Sequence, residues 1–281
     1  MTTIALFGAA GNMGTRLTNT LRQRGPEYRV LYVEAGEAGQ EKLRARGDEP
    51  TPPDAALREA DVAILAVPDR LIKAVAADVV PGLKPGAMVI CLDPAAPYSG
   101  HLPARDDISY FITHPAHPPV FNDETDPEAR RDFFGSGKAK QSIVSALMQG
   151  PEADYARGEA IATALFGPVL RSHRVTVEQM AILEPALSET VAATCVTIMR
   201  EAMDEAIRRG VPAEAARDFL LGHINIPLAI CFNEIEWDFS AGAKKAIEEA
   251  KKTIFQPDWK KVFEESSIRE SVAKITGDLP S

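Results

Sequence analysis

The sequence is poor in cysteine: Cys91, Cys195 and Cys231 are the only three in 281 residues. Their number is odd, their spacings are wide, and each lies in an apolar run. Neither a disulfide framework nor a zinc-binding pattern fits, and a reducing, cytoplasmic setting is the expectation. Basic charge is scarce too. The chain carries 31 Lys and Arg against 40 Asp and Glu, a net charge of −9 at pH 7. General nucleic-acid binding needs the opposite balance, whereas a small anionic substrate needs only a locally basic site. No run of about 18 uninterrupted apolar residues occurs, so no membrane span is expected. The opening MTTIALFGAAG lacks a basic region and leads directly into a strand pattern, so no signal peptide is expected there.

Hydrophobic residues make up 45% of the chain, enough for a sizeable core. In the first half, short apolar, β-branched runs occupy 4–8, 29–34, 61–67, 87–93, 108–113 and 141–148. Helical segments separate most of them, a pattern that predicts βαβ units and a sheet buried on both faces. After about residue 175 the strand signal stops. Over 177–209, Met180, Leu187, Val191, Ile198 and Ala202 recur at helical spacing, and Gly210 and Pro212 close the tract. Further helices are expected over 213–233, 241–255 and 258–275. The expected fold is therefore α/β: a Rossmann-type doubly wound parallel sheet with a second, all-helical C-terminal domain. Residues 1–175 form the dinucleotide-binding domain in this reading, and 176–281 a helical domain for substrate and dimerisation. The apolar stripe of the long helix needs a second surface, which suggests a homodimer.

Gly8-Ala-Ala-Gly-Asn-Met-Gly14 follows the first strand and opens a helix. It departs from G-x-G-x-x-G in placing Ala9 where the first glycine belongs and Gly8 one position earlier. In such a loop Gly8, Ala10, Gly11, Asn12, Met13 and Gly14 bring backbone and helix N-terminus to a pyrophosphate. Glu34 ends the second strand about 20 residues past Gly14, where a carboxylate accepts ribose hydroxyls and repels a 2′-phosphate. NAD is therefore expected over NADP. Pro68 and Asp69 end the third strand and are further expected cofactor contacts, with a helix cap as the alternative role for Asp69.

His114-Pro-Ala-His117-Pro-Pro closes the fifth strand. Its prolines exclude a helix, and an extended segment holds the two imidazoles about 10 Å apart. One of them, rather than both, suits a given ion, and imidazole suits zinc and related cations. Glu184 interrupts the apolar stripe of the long helix and precedes Pro185. A carboxylate on a buried face needs a partner or a metal. Glu178 and Glu189 read as a solvated face. His223, in an apolar helix, reads as a core histidine, and Gly135-Ser-Gly-Lys138 as a surface turn without P-loop spacing.

Together GAAGNMG, AVPD, HPAHPPVFND, AKQSIVSALMQGPEADY, RSHRVTVEQMAILEPALSETVAATC and ARDFLLGHINI resemble the D-apionate oxidoisomerase family, within the wider 6-phosphogluconate dehydrogenase-like superfamily. The resemblance implies an NAD-dependent oxidoisomerase that converts the sugar acid D-apionate to 3-oxo-isoapionate. It implies hydroxyl oxidation followed by carboxylate migration, assisted by a divalent metal: zinc first, then magnesium or manganese. His114 and Glu184 match the family's metal-ligand positions, and Glu184, His117 and Glu189 are the catalytic candidates. Many dehydrogenases of the superfamily place a catalytic lysine near the start of the long helix. No lysine occurs between Val175 and Gly210, which favours the metal-assisted reading over a simple dehydrogenase of another hydroxy acid.

Overall fold

The structure is a computed structural model that describes residues 1–279. The elements of its first compact unit are β1 (Thr2–Phe7), α1 (Asn12–Gln23), β2 (Tyr28–Val33), α2 (Glu37–Ala45), α3 (Pro53–Glu59), β3 (Val62–Leu65), α4 (Asp69–Val79), β4 (Met88–Cys91), α5 (Ala95–Tyr98), β5 (Ser109–Pro115), β6 (Gln141–Gln149), α6 (Ala153–Phe166), β7 (Val169–Arg174) and α7 (Val177–Ala181). Seven strands form one sheet in the order β2-β1-β3-β4-β5-β6-β7. Alternate residues of each strand face opposite sides. Ala5 and Phe7 join Leu57, Ile72 and Ala76 on one face, while Ile4 and Leu6 join Leu17, Leu21 and Leu165 on the other. Both faces are covered, as the continuous apolar runs require.

Two strands differ from expectation. β6 runs antiparallel to β5, because an apolar run such as QSIVSALM encodes burial but not direction. β7 has no counterpart among the expected strands. It is an edge strand of sequence VLRSHR with no fully buried residue, so it lacks the apolar signature of its neighbours.

Pro185 removes a backbone N–H from the long helix. The chain responds by widening into a π-helix over Ile182–Ala193 rather than by breaking. It resumes as α8 (Thr194–Arg208) and stops at Gly210, whose φ is +101°. By length and composition the helix Val177–Arg208 is apolar enough to cross a membrane, with a mean hydropathy of 1.3 in its most apolar window. The average conceals Glu184 and Pro185, which interrupt the run. Beyond it lie α9 (Ala213–Cys231), α10 (Ala241–Ile254) and α11 (Glu265–Thr276). Chain contacts divide the molecule into Met1–Glu184 with the residues from Arg269 onward, and Pro185–Ile268. The expected division lay between 175 and 176.

Candidate functional site

The glycine loop turns out of β1 at Gly8, whose φ is +78°. A Cβ there would lie 2.4 Å from the carbonyl oxygen of Ala66 on the strand-three side. Gly8 thus does the work that the standard frame gives to the position now held by Ala9. At Gly14 a Cβ would fall 2.3 Å from the Gly8 carbonyl oxygen, so the helix can approach the loop only as glycine. Gly11 caps α1 with no side-chain hydrogen bond, which leaves the N–H groups of the first turn, from Asn12 onward, for an anionic ligand.

Beside this loop is a cavity of about 500 Å³, with Gly8, Gly11, Glu34, Pro68, Leu71 and Val75 in its wall. Glu34 sits at its rim, and its Oε1 accepts a hydrogen bond of 2.5 Å from the Ala10 N–H. β3 ends at Leu65, so Pro68 lies three residues beyond the strand rather than at its end, and α4 starts from it with Asp69 as the first helical residue. Burial, and then the neighbouring Asp93 carboxylate, push the Asp69 carboxyl up to about 6, against the opposing pull of His114. Asp69 is therefore coupled electrostatically to a second group of charges that includes Asp93 and His114.

That group is Asp93, His114 and Glu184, which offer ligand atoms all within 4.8 Å of one another. β4 and β5 pair in parallel with Cys91 opposite Ile112. Continued by two residues, the register sets Asp93 opposite His114 at the carboxyl ends of adjacent strands, where open α/β sheets bind ligands. His114 Nδ1 lies 2.9 Å from the Leu92 carbonyl oxygen. Donation there leaves the Nε2 lone pair aimed at Glu184, whose Oε2 is 3.5 Å away. A metal-binding imidazole has this arrangement, its second nitrogen fixed by a backbone carbonyl. Burial raises the Asp93 carboxyl, with Glu184 adding to the rise and His114 and the Ala95 N–H opposing it. Two carboxylates and one imidazole in a half-buried pocket form a donor set that fits a divalent cation.

Sequence reasoning brought His114 and Glu184 forward but missed Asp93. A lone aspartate after an apolar strand looks like any strand end; the available signal was that ICLD and ITH end neighbouring strands.

His117 takes another course. Its φ is +60°, which bends the chain back and brings the two imidazole centroids to 6.3 Å, closer than an extended segment allows. Its Nδ1 lies 3.1 Å from the Phe134 carbonyl oxygen. Burial lowers its proton affinity, and the charges of Arg16 and His114 act the same way against the Phe134 hydrogen bond. Glu189 is exposed and belongs to the second compact unit. Glu178 is exposed as expected. His223 is exposed rather than core, stacked on Phe219 at 4.0 Å, because the helix that carries it buries only Ala216. Gly135 is buried, so the turn expected at the surface is tied into the fold.

Residues 122–276 match the family described as phosphogluconate dehydrogenase (decarboxylating) C-terminal, and residues 3–95 match the family described as NADP oxidoreductase, coenzyme F420-dependent. A D-apionate oxidoisomerase of Cupriavidus necator is 57% identical over 274 residues, covering 97% of this chain and 99% of the relative. One from Rhizobium rhizogenes is 56% identical and covers 98% and 100%. A crystal structure of a semialdehyde dehydrogenase NAD-binding protein from Cupriavidus necator, in complex with calcium and NAD, superposes with a TM-score of 0.95 at 56% identity. It covers 98% of this chain and 100% of that one. An archaeal NADH-preferring ketol-acid reductoisomerase, at 19% identity and a TM-score of 0.67 over 98% of this chain and 82% of its own, shares the fold alone. With relatives of this identity matched from end to end, the chain belongs to the D-apionate oxidoisomerase family.

Proposed function

We propose that the protein is an NAD-dependent oxidoisomerase that converts D-apionate to 3-oxo-isoapionate, oxidising the 2-hydroxyl and shifting one carbon substituent between C2 and C3. The observation that carries this reading is the Asp93–His114–Glu184 cluster, at the sheet edge that also holds the glycine loop and Glu34. A dehydrogenase with a lysine base has no need of three converging ligands.

In the proposed site the dinucleotide pyrophosphate rests on Gly11, Asn12 and Met13, with the ribose hydroxyls at Glu34. Oxidation sends a hydride from C2 to the nicotinamide and the hydroxyl proton to a protein base. His117, held neutral, is the group proposed to move that proton, with Glu189 a further candidate. Asp93, His114 and Glu184 would hold a divalent cation, which supplies Lewis-acid polarisation of adjacent substrate oxygens. The imidazole suits zinc, and the two carboxylates equally admit magnesium, manganese or the calcium bound by the Cupriavidus relative.

The second compact unit supports assembly as a homodimer. The three unpaired cysteines suit a cytoplasmic location.

Exhaustive chelation is expected to abolish NADH formation while NAD still binds, and divalent metal to restore it. Product analysis by ¹³C NMR of D-apionate labelled at the carboxylate or a hydroxymethyl carbon reports the skeleton and the group that moves. An unrearranged keto acid as the sole product would replace this reading with a simple dehydrogenase.

A further inference from the structure

Arg16 lies on α1, the helix that opens at the glycine loop, and is 5% exposed. Its Nε donates to the Gly135 carbonyl oxygen at 3.0 Å and its Nη2 to Gln141 Oε1 at 3.2 Å. The guanidinium carbon lies 4.5 Å from the Phe134 ring centre and 5.4 Å from that of Phe166. Gln141 closes the node by donating Nε2 to Gly135 O at 3.2 Å and to Phe166 O at 2.7 Å. Gly135 has φ +75°, and a Cβ there would fall 2.5 Å from Gln141 Oε1. The Gly135 carbonyl is thus held by Arg16 and Gln141 together, and the 134–135 segment packs against the node they form.

The same segment grips His117. The Phe134 carbonyl oxygen is the partner of His117 Nδ1, and the Phe134 ring lies 5.2 Å from the imidazole. His117 also holds a left-handed backbone conformation. Such strain persists only where the surroundings over-determine it. Donation from Nδ1–H fixes the tautomer that leaves Nε2 as an acceptor.

Arg16 is also a costly residue to keep. Burial draws its guanidinium down to about 10, with Asp132 opposing. Among the described residues its Nη1 is buried without a hydrogen-bond partner. A methionine would fill the space without either cost. What a methionine lacks is a planar fork that serves two acceptors while stacking between rings.

We propose that Arg16 is the positioning residue for His117, holding the Phe134–Gly135 segment from the dinucleotide helix so that the imidazole keeps the orientation and tautomer needed to move the substrate proton. The proposal rests on the reading of His117 given above.

The test compares Arg16→Met, Arg16→Lys, His117→Asn and the Arg16→Met/His117→Asn double variant in the metal-loaded enzyme with NAD and D-apionate. Arg16→Met is expected to lower kcat about 10- to 100-fold, with KM for NAD within about threefold. In the His117→Asn background the same change should cost less than about twofold, because groups acting through one another are non-additive. Arg16→Lys should recover thermal stability but not kcat, since an ammonium lacks the planar fork and the stacking between Phe134 and Phe166 that align the segment. Gly135→Ala displaces the same segment with the guanidinium intact and should reproduce the coupled loss; it carries the test if Arg16→Met does not fold. Additive losses, unchanged kcat or full recovery by lysine would overturn the positioning role and leave His117 standing. Wild-type turnover by His117→Asn would instead remove the reading of His117 itself.

Discussion

Glu34 ends β2 at the rim of the cavity, and its contact with the Ala10 N–H presses the carboxylate against the glycine loop. A Cβ on Gly39 would fall 2.8 Å from Glu34 Oε2, so the side chain is confined from the α2 side as well. A ribose 2′-phosphate would have to displace it or sit beside an unscreened negative charge. Glu34→Ser is expected to reduce the ratio of kcat/KM for NAD over NADP by about tenfold or more, equivalent to at least about 1.4 kcal/mol, as read from initial rates with each dinucleotide. A ratio unchanged by the substitution would move cofactor selection elsewhere in the cavity. Residues of this kind were legible in sequence because each broke a local pattern. Glu34 is acidic at a strand end, Glu184 interrupts an apolar stripe, and His114 precedes proline. Asp93 breaks none. Its role exists only through the register of β4 against β5, a relation between segments that no single segment carries.

Elements followed the same division. The five leading parallel strands, β1 to β5, were legible from continuous apolar runs, and α1 from the loop that opens it. The direction of β6 and the existence of β7 were not, because one depends on chain path and the other on an exposed edge. The connection from β5 to β6 was legible only as proline- and glycine-rich chain. In the structure Asp132 organises its far end. Its carboxylate accepts from the N–H groups of Ser136, Lys138 and Ala139 at 2.7, 3.0 and 3.1 Å. Burial tends to raise the Asp132 carboxyl, but these donors outweigh it and the net shift is downward. A carboxyl lowered in the folded state contributes stability that is fully present above its unfolded value of about 3.9 and is lost as pH falls through the lower folded value. Asp132→Asn should therefore destabilise the protein at neutral pH by about 1–3 kcal/mol. The difference from wild type should fade below about pH 3, as followed by urea denaturation across the acid range. A difference independent of pH would mean that shape rather than charge holds the turn. Because this turn leads into the segment that Arg16 grips, its loosening should also raise hydrogen exchange near Phe134.

At the scale of the molecule, the first unit has a two-faced core and the second has almost none of its own. α8 and α10 bury no residue, and α9 buries only Ala216. Val196, Phe219, Phe232 and Trp237 are 64 to 74% exposed. Isolated helices with apolar faces in water lack the burial that stabilises them, and exposed apolar surface on this scale marks an interaction face. The apolar stripe on the long helix was legible from its spacing; what covers it was not, because a partner leaves no periodicity of its own. A membrane is the poorer occupant, since the π-helical stretch carries Glu184 and Glu189. A second copy of the chain is the occupant proposed here. Sedimentation equilibrium is expected to give twice the 30.4 kDa of one chain, and thermal stability should rise with protein concentration, as it must when folding is linked to association. Val196→Glu should weaken association about tenfold or more, while NAD binding persists, because the glycine loop and Glu34 lie wholly in the first unit. A stable 30.4 kDa particle at micromolar concentration, with the helices intact by circular dichroism, would exclude the dimer.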